Sequence, residues 1–205
     1  MRALALWGWL SQSELDIGDI DLAPGRVAAA IPGWKLHDAD SAITALVKAG
    51  VLRVLQAGGK GRGNVARYQL VEPLVSDVSF SSALHHLKGD AAAVMLLVFI
   101  VDVWGSAATA PISAEGMSQS VGGAFGGWTR VKIVKARDQL VLAGLIERLQ
   151  VRRTSVRYPR ALFQIRAADV LKIPGNVPVD IHRPVRLSTS SATRTQRPEW
   201  IKLVG

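Results

Sequence analysis

Two stretches of this chain, ninety-four residues apart, are versions of one another. Gly33–Gln56 reads GWKLHDADSAITALVKAGVLRVLQ, and Gly127–Gln150 reads GWTRVKIVKARDQLVLAGLIERLQ. They share the opening Gly-Trp, Ala42/Ala136, Leu46/Leu140, Val47/Val141, Ala-Gly at 49–50 and 143–144, and a closing Leu-Gln. Apolar residues exchange at Val51/Leu145 and Leu52/Ile146. After one extra residue the echo resumes, as ARYQL (66–70) against ALFQI (161–165). A repeat of this kind constrains architecture more than any local pattern, because each copy has to be the same supersecondary unit. The chain has 205 residues, which leaves each unit roughly 70–90, a size able to bury a core of its own.

The local signals repeat with the sequence. In RALALWGWLSQSEL (2–15), Leu4, Trp7 and Leu10 stand near helical spacing and predict a first helix. The acidic link DIGDID follows, and then LAPGRVAAA reads as a short helix with Pro24 in its first turn. A tight turn at IPGW leads into a longer helix from about Leu36 to Ala49, stopped by Gly50. VLRVLQA and ARYQLV flank GGKGRGN, which predicts a hairpin with a basic, Gly-rich tip. In the second unit Asp90 is suited to cap a helix over 91–104, and Ser113 or Ser118 to cap the next one. Thr129 is suited to cap a third, ending at Ala143 before Gly144. LIERLQV and RALFQIR then form a second hairpin around RRTSVRYP. Residues 72–89 read as a connector with a short helix near SALHHL, and Pro, Ser, Thr and Arg dominate from Pro174 onward.

Helix, helix, turn, helix and basic hairpin, in LVKAGVLRVLQ…ARYQLV and again in LVLAGLIERLQ…ALFQIR, resembles the winged helix-turn-helix superfamily. The resemblance covers about 2–72 and 90–168. It implies an α+β, mostly α fold: two winged helix-turn-helix units in tandem with a C-terminal extended basic arm. The boundaries expected are 1–75 for the first unit, 76–89 for a linker, 90–170 for the second, more basic unit and 171–205 for the tail. Two departures stand out. Arg137 occupies the place of Ile43, where an apolar residue is usual, and Gly122 and Gly123 fall inside the second helix of the second unit.

Charge points to the class of partner. The formal net charge is +9, which favours a polyanion. Residues 1–50 carry four Lys/Arg against six Asp/Glu, whereas 129–205 carry sixteen against five. With no cysteine, disulfides, thiolate nucleophiles and Cys-ligated zinc are excluded. No signal peptide is read at the start. The apolar run AAAVMLLVFIV (91–101) is too short to span a bilayer and reads as a buried helix, either between the units or at a dimer interface. A cytoplasmic, nucleoid-associated protein is expected, with no membrane partner.

The resemblance places the third helix of each unit in the major groove of double-stranded DNA. In the second unit Thr129, Arg130, Lys132 and Lys135 then face outward while Ile133, Ala136 and Leu140 face the core. Arginine can bridge guanine with two hydrogen bonds. The wing residues Arg152, Arg153, Arg157 and Arg160 suit phosphates or a narrow minor groove, with Arg148 as an adjunct. In the first unit the corresponding residues are Lys35, His37 and Ser41 on the helix and Lys60, Arg62 and Arg67 on the wing. Asp38 and Asp40 beside them would repel phosphate, which leaves protein binding by the first unit as an open alternative. Trp34 and Trp128 are expected as core anchors, since an indole buries much area.

Enzymatic readings find little support. GGKGRGN has no Ser/Thr after the Lys of a P-loop frame, and GGAFGG lacks the strand and acid of a dinucleotide site. His85 and His86 are adjacent without a third ligand at metal-site spacing. The expectation is therefore a non-enzymatic regulator of transcription, prokaryotic or of a mobile element, binding double-stranded DNA without cofactor or metal. A plasmid or phage replication initiator and a tandem winged-helix interaction scaffold are the alternatives, and homodimerisation stays open.

Overall fold

The computed structural model describes residues 1–13, 18–59, 65–114, 117, 128–149 and 162–171. Helix α1 (Arg2–Gln12) leads to strand β1 (Ile20–Asp21), helices α2 (Pro24–Ala30) and α3 (Leu36–Lys48), and strands β2 (Leu52–Gln56) and β3 (Arg67–Leu70). Helix α4 (Phe80–His86) follows. The second half runs α5 (Ala91–Trp104), β4 (Thr109–Ala110), α6 (Arg130–Leu142), β5 (Ile146–Leu149), β6 (Leu162–Ile165) and α7 (Ala167–Leu171). The fold is α+β, about half helix with small antiparallel sheets. The sheets have equivalent orders, β1-β3-β2 and β4-β6-β5.

The repeat in sequence is a repeat in hydrogen bonds. Gly50 and Gly144 close α3 and α6 with φ of 74° and 71°, a left-handed conformation that costs glycine least. Behind them the Val51 N–H donates to the Leu46 carbonyl at 3.0 Å, and the Leu145 N–H donates to Leu140 at 2.9 Å. Both are the long bond of a Schellman cap, which satisfies a carbonyl the helix end would leave open. The next strand then closes on the same residue: Val71 N–H to the Val51 carbonyl in one half, Arg166 N–H to Leu145 in the other.

Capping chemistry sets the helix starts where the sequence placed them. The Asp90 carboxylate accepts from Ala92 and Ala93 N–H at the head of α5. Thr129 Oγ1 accepts from Lys132 N–H at the head of α6, and Pro24 begins α2. Helix α1 is shorter than the expected 2–15: it ends at Gln12, and the Ser13 hydroxyl donates back to the Trp9 carbonyl at 2.6 Å. The link DIGDID contains a strand, since Ile20 and Asp21 pair with Tyr68 and Arg67. Helix α7 was likewise not anticipated. The second helix expected from Ser113 or Ser118, with Gly122 and Gly123, falls mostly outside the described residues, as do the hairpin tips and the tail from Lys172.

Helix α5 is buried almost all round, from Ala93 to Val101. It packs against α1, α4 and α6, so of the two places foreseen for the apolar run it takes the one between the halves. The buried side chains of both halves form one continuous cluster, from Leu4 to Leu171. The segment expected as a linker, 76–89, carries α4, which packs on both α1 and α5. Phe80 of α4 is fully buried, and its ring lies over Gly8 so closely that a Cβ there would come within 2.3 Å of ring carbon. Gly8→Ala is therefore expected to lower stability by about 1–3 kcal/mol through overpacking. Gly25→Ala in exposed α2, where the nearest atom is 3.9 Å away, is expected to raise it by about 1 kcal/mol through helix propensity. Thermal melting of the two variants checks the pair, with shifts of opposite sign.

Candidate nucleic-acid interface

Helix α6 turns one row of apolar residues toward the core, while Val131 and Leu142 stay exposed beside its cations. Ile133, Ala136 and Leu140 are buried, and Arg130, Lys132 and Lys135 are exposed. Thr129 stands exposed at the head of the helix with its hydroxyl engaged in the cap. No described carboxylate pairs with Arg130 or Lys135. Arg137, the departure at the position of Ile43, is half-buried: its guanidinium lies 5.6 Å from the centre of the Phe163 ring and 3.4 Å from Asp138. A cation over an aromatic face is stabilised there, so an arginine sits at a position where aliphatic burial was expected. Arg148 is exposed on β5, while Arg166 pairs with Glu147 at 2.9 Å.

The first half arranges the same elements with the opposite electrostatic result. Lys35, His37 and Ser41 are exposed at the start of α3. Asp38, in the same turn, accepts from the Lys35 N–H and pairs with Arg2 at 2.7 Å. Arg26 pairs with Asp21 at 2.6 Å, and Arg67, expected on phosphate, faces Asp19 at 2.7 Å. Such exposed pairs contribute little to stability, but they spend the positive charge of this half on its own acids. Burial, with the charge of Asp40 adding to it, raises the pKa of Tyr68 on β3. Lys60, Arg62, Arg152, Arg153, Arg157 and Arg160 lie outside the described residues.

Trp34 and Trp128 are both buried, at 7% and 6% exposure. Each also reaches into the other half. The Trp34 indole N–H donates to the Gly89 carbonyl at 2.9 Å, just ahead of α5. The Trp128 indole donates to Met1 Sδ at 3.1 Å, just ahead of α1. A third bridge joins the His86 ring, through Nε2–H, to the Ala143 carbonyl at 2.8 Å. Burial lowers the pKa of the Met1 amine, and the nearby charges of Lys132 and Arg2 lower it further. The heads of α3 and α6 thus lie on either side of the Met1–Arg2 dipeptide.

Sequence reasoning passed over Arg2 and Lys88. Nothing local marks either one: Arg2 meets Asp38 thirty-six positions away, and the Lys88 carbonyl lies against Gly33. Among the described residues no helix is long and apolar enough to cross a membrane. Comparison with known protein families, with curated proteins and with solved structures returns no match.

Proposed function

We propose that the chain is a double-stranded DNA-binding protein built from two winged helix-turn-helix units, acting as a regulator of transcription. The carrying observation is α6, a helix capped by Thr129 whose outer surface offers Arg130, Lys132 and Lys135 while its inner surface is core. The first half's order of helix, strand, helix, helix and two-stranded hairpin, with its three-stranded sheet, supports the winged-helix reading. The second half shares its sheet order and cap geometry, which supports the same reading. In it, the lysines hold phosphates and supply affinity without sequence preference. Arg130 reaches a guanine edge in the major groove. The first unit contributes less affinity, since most of its arginines are paired with its own aspartates.

Arg130→Ala tests the base contact. Duplexes selected from a random pool by the wild-type chain are expected to bind the variant about 1–3 kcal/mol more weakly, with preference relaxed at one base position. An equal loss on selected and random DNA would assign Arg130 to phosphate and remove base reading from it.

A further inference from the structure

The indole contacts are reciprocal. Trp34 of the first half holds the backbone ahead of α5, and Trp128 of the second holds the residue ahead of α1. Exchange of the halves turns one contact into the other, with α1 packed on α5 between them. The turn Pro32–Trp34 is pressed against Lys88–Gly89: a Cβ on Gly89 would fall 1.8 Å from the Pro32 carbonyl oxygen, and Gly89 has a φ of 76°. Lys88 itself holds a φ of 51°, uncommon for a residue with a side chain. This seam ties the start of α3 to the start of α5, and the start of α6 to the start of α1.

The same seam gathers charge from both halves. Lys35, Lys88, Arg130 and Lys132 are all exposed and all belong to the segments that meet there. The carboxylates of these segments are largely committed: Asp38 to Arg2 and the Lys35 N–H, Asp90 to the head of α5. Asp40, two residues after Asp38 on α3, is exposed. Lys35 and Lys88 come from opposite sides of the seam, and no described carboxylate pairs with either.

We propose that the seam is itself a surface for the backbone of duplex DNA, with Lys35 and Lys88 holding phosphates between the α3 and α6 contacts, so that one chain covers one continuous site at fixed spacing. This rests on the DNA-binding reading above and goes beyond it, because a chain using α6 alone, or two chains on an inverted repeat, would need no seam contact.

The experiment uses the full chain and a duplex selected by it. Native mass spectrometry is expected to give one chain per duplex, and hydroxyl-radical footprinting two protected blocks with protected backbone between them. Lys35→Ala with Lys88→Ala is expected to flatten the dependence of log K on log salt by about two. It should also lose the central protection, with the two outer blocks still protected. Inserting two base pairs between the blocks rotates one against the other by about 70° and is expected to cost tenfold or more. Tight binding that tolerates the insertion, ignores the double variant or needs two chains overturns the seam surface and leaves DNA binding standing. Absence of salt-sensitive binding to any duplex overturns the DNA-binding reading itself, and the seam proposal with it.

Discussion

A fragment ending at residue 75 is expected not to fold. From sequence, residues 1–75 look self-contained, with three helices, a hairpin and an apolar set of their own. In the structure, α1 is covered by α4 and α5, which this cut removes. Phe80, Leu84, Met95, Leu96 and Leu97 are among the largest fully buried side chains or close to them, and all are lost from the shared cluster. Deleting one buried phenylalanine costs about 3–5 kcal/mol, against a total stability of about 5–15 kcal/mol for a domain. Losing several such partners exceeds what the remainder can supply. Urea titration followed by far-ultraviolet circular dichroism should show no cooperative transition for the fragment and one transition for the full chain. A cooperative transition with native-like helix content in the fragment would show that the first half carries a sufficient core alone.

Replacing Arg130, Lys132 and Lys135 together with Ala should reduce duplex affinity by at least about 100-fold at moderate salt, equivalent to roughly 2.7 kcal/mol. One bidentate arginine supplies about 1–3 kcal/mol, and the two lysines add phosphate contacts. The three side chains are exposed, so thermal stability should stay within about 0.5 kcal/mol. A loss of affinity accompanied by a large drop in melting temperature would instead point to damage to α6.

What the sequence disclosed was local. Gly50, Gly144, Asp90, Thr129 and Pro24 each act through bonds to residues a few places away, so their roles follow from side-chain chemistry and spacing. The buried run at 91–101 was legible for the same reason, though not what it would pack against. The strands at Ile20–Asp21 and Thr109–Ala110 are two residues long, too short for alternation to register. Arg137 broke the apolar pattern because its partner, the Phe163 ring, lies across the second half of the fold. The candidate interface was partly legible on α6, where Ile133, Ala136 and Leu140 fall at helical spacing, although Val131 and Leu142 are exposed and Arg137 turns partly inward. The sequence did not disclose that Arg67 pairs with Asp19, forty-eight positions away. The seam was invisible: Trp34 and Trp128 read as core anchors, and nothing in either repeat says that each would close on the start of the other.

The most direct test of DNA binding is a salt titration of the full chain on random-sequence duplex, read by fluorescence anisotropy, with the α6 triple variant alongside. If α6 and the seam hold phosphates, log K should fall linearly with log salt, at a slope steeper than about −4, because each neutralised phosphate releases counterions. The triple variant should bind more weakly with a slope shallower by two to three. Wild-type binding that is absent at low salt, or insensitive to salt, would contradict the account.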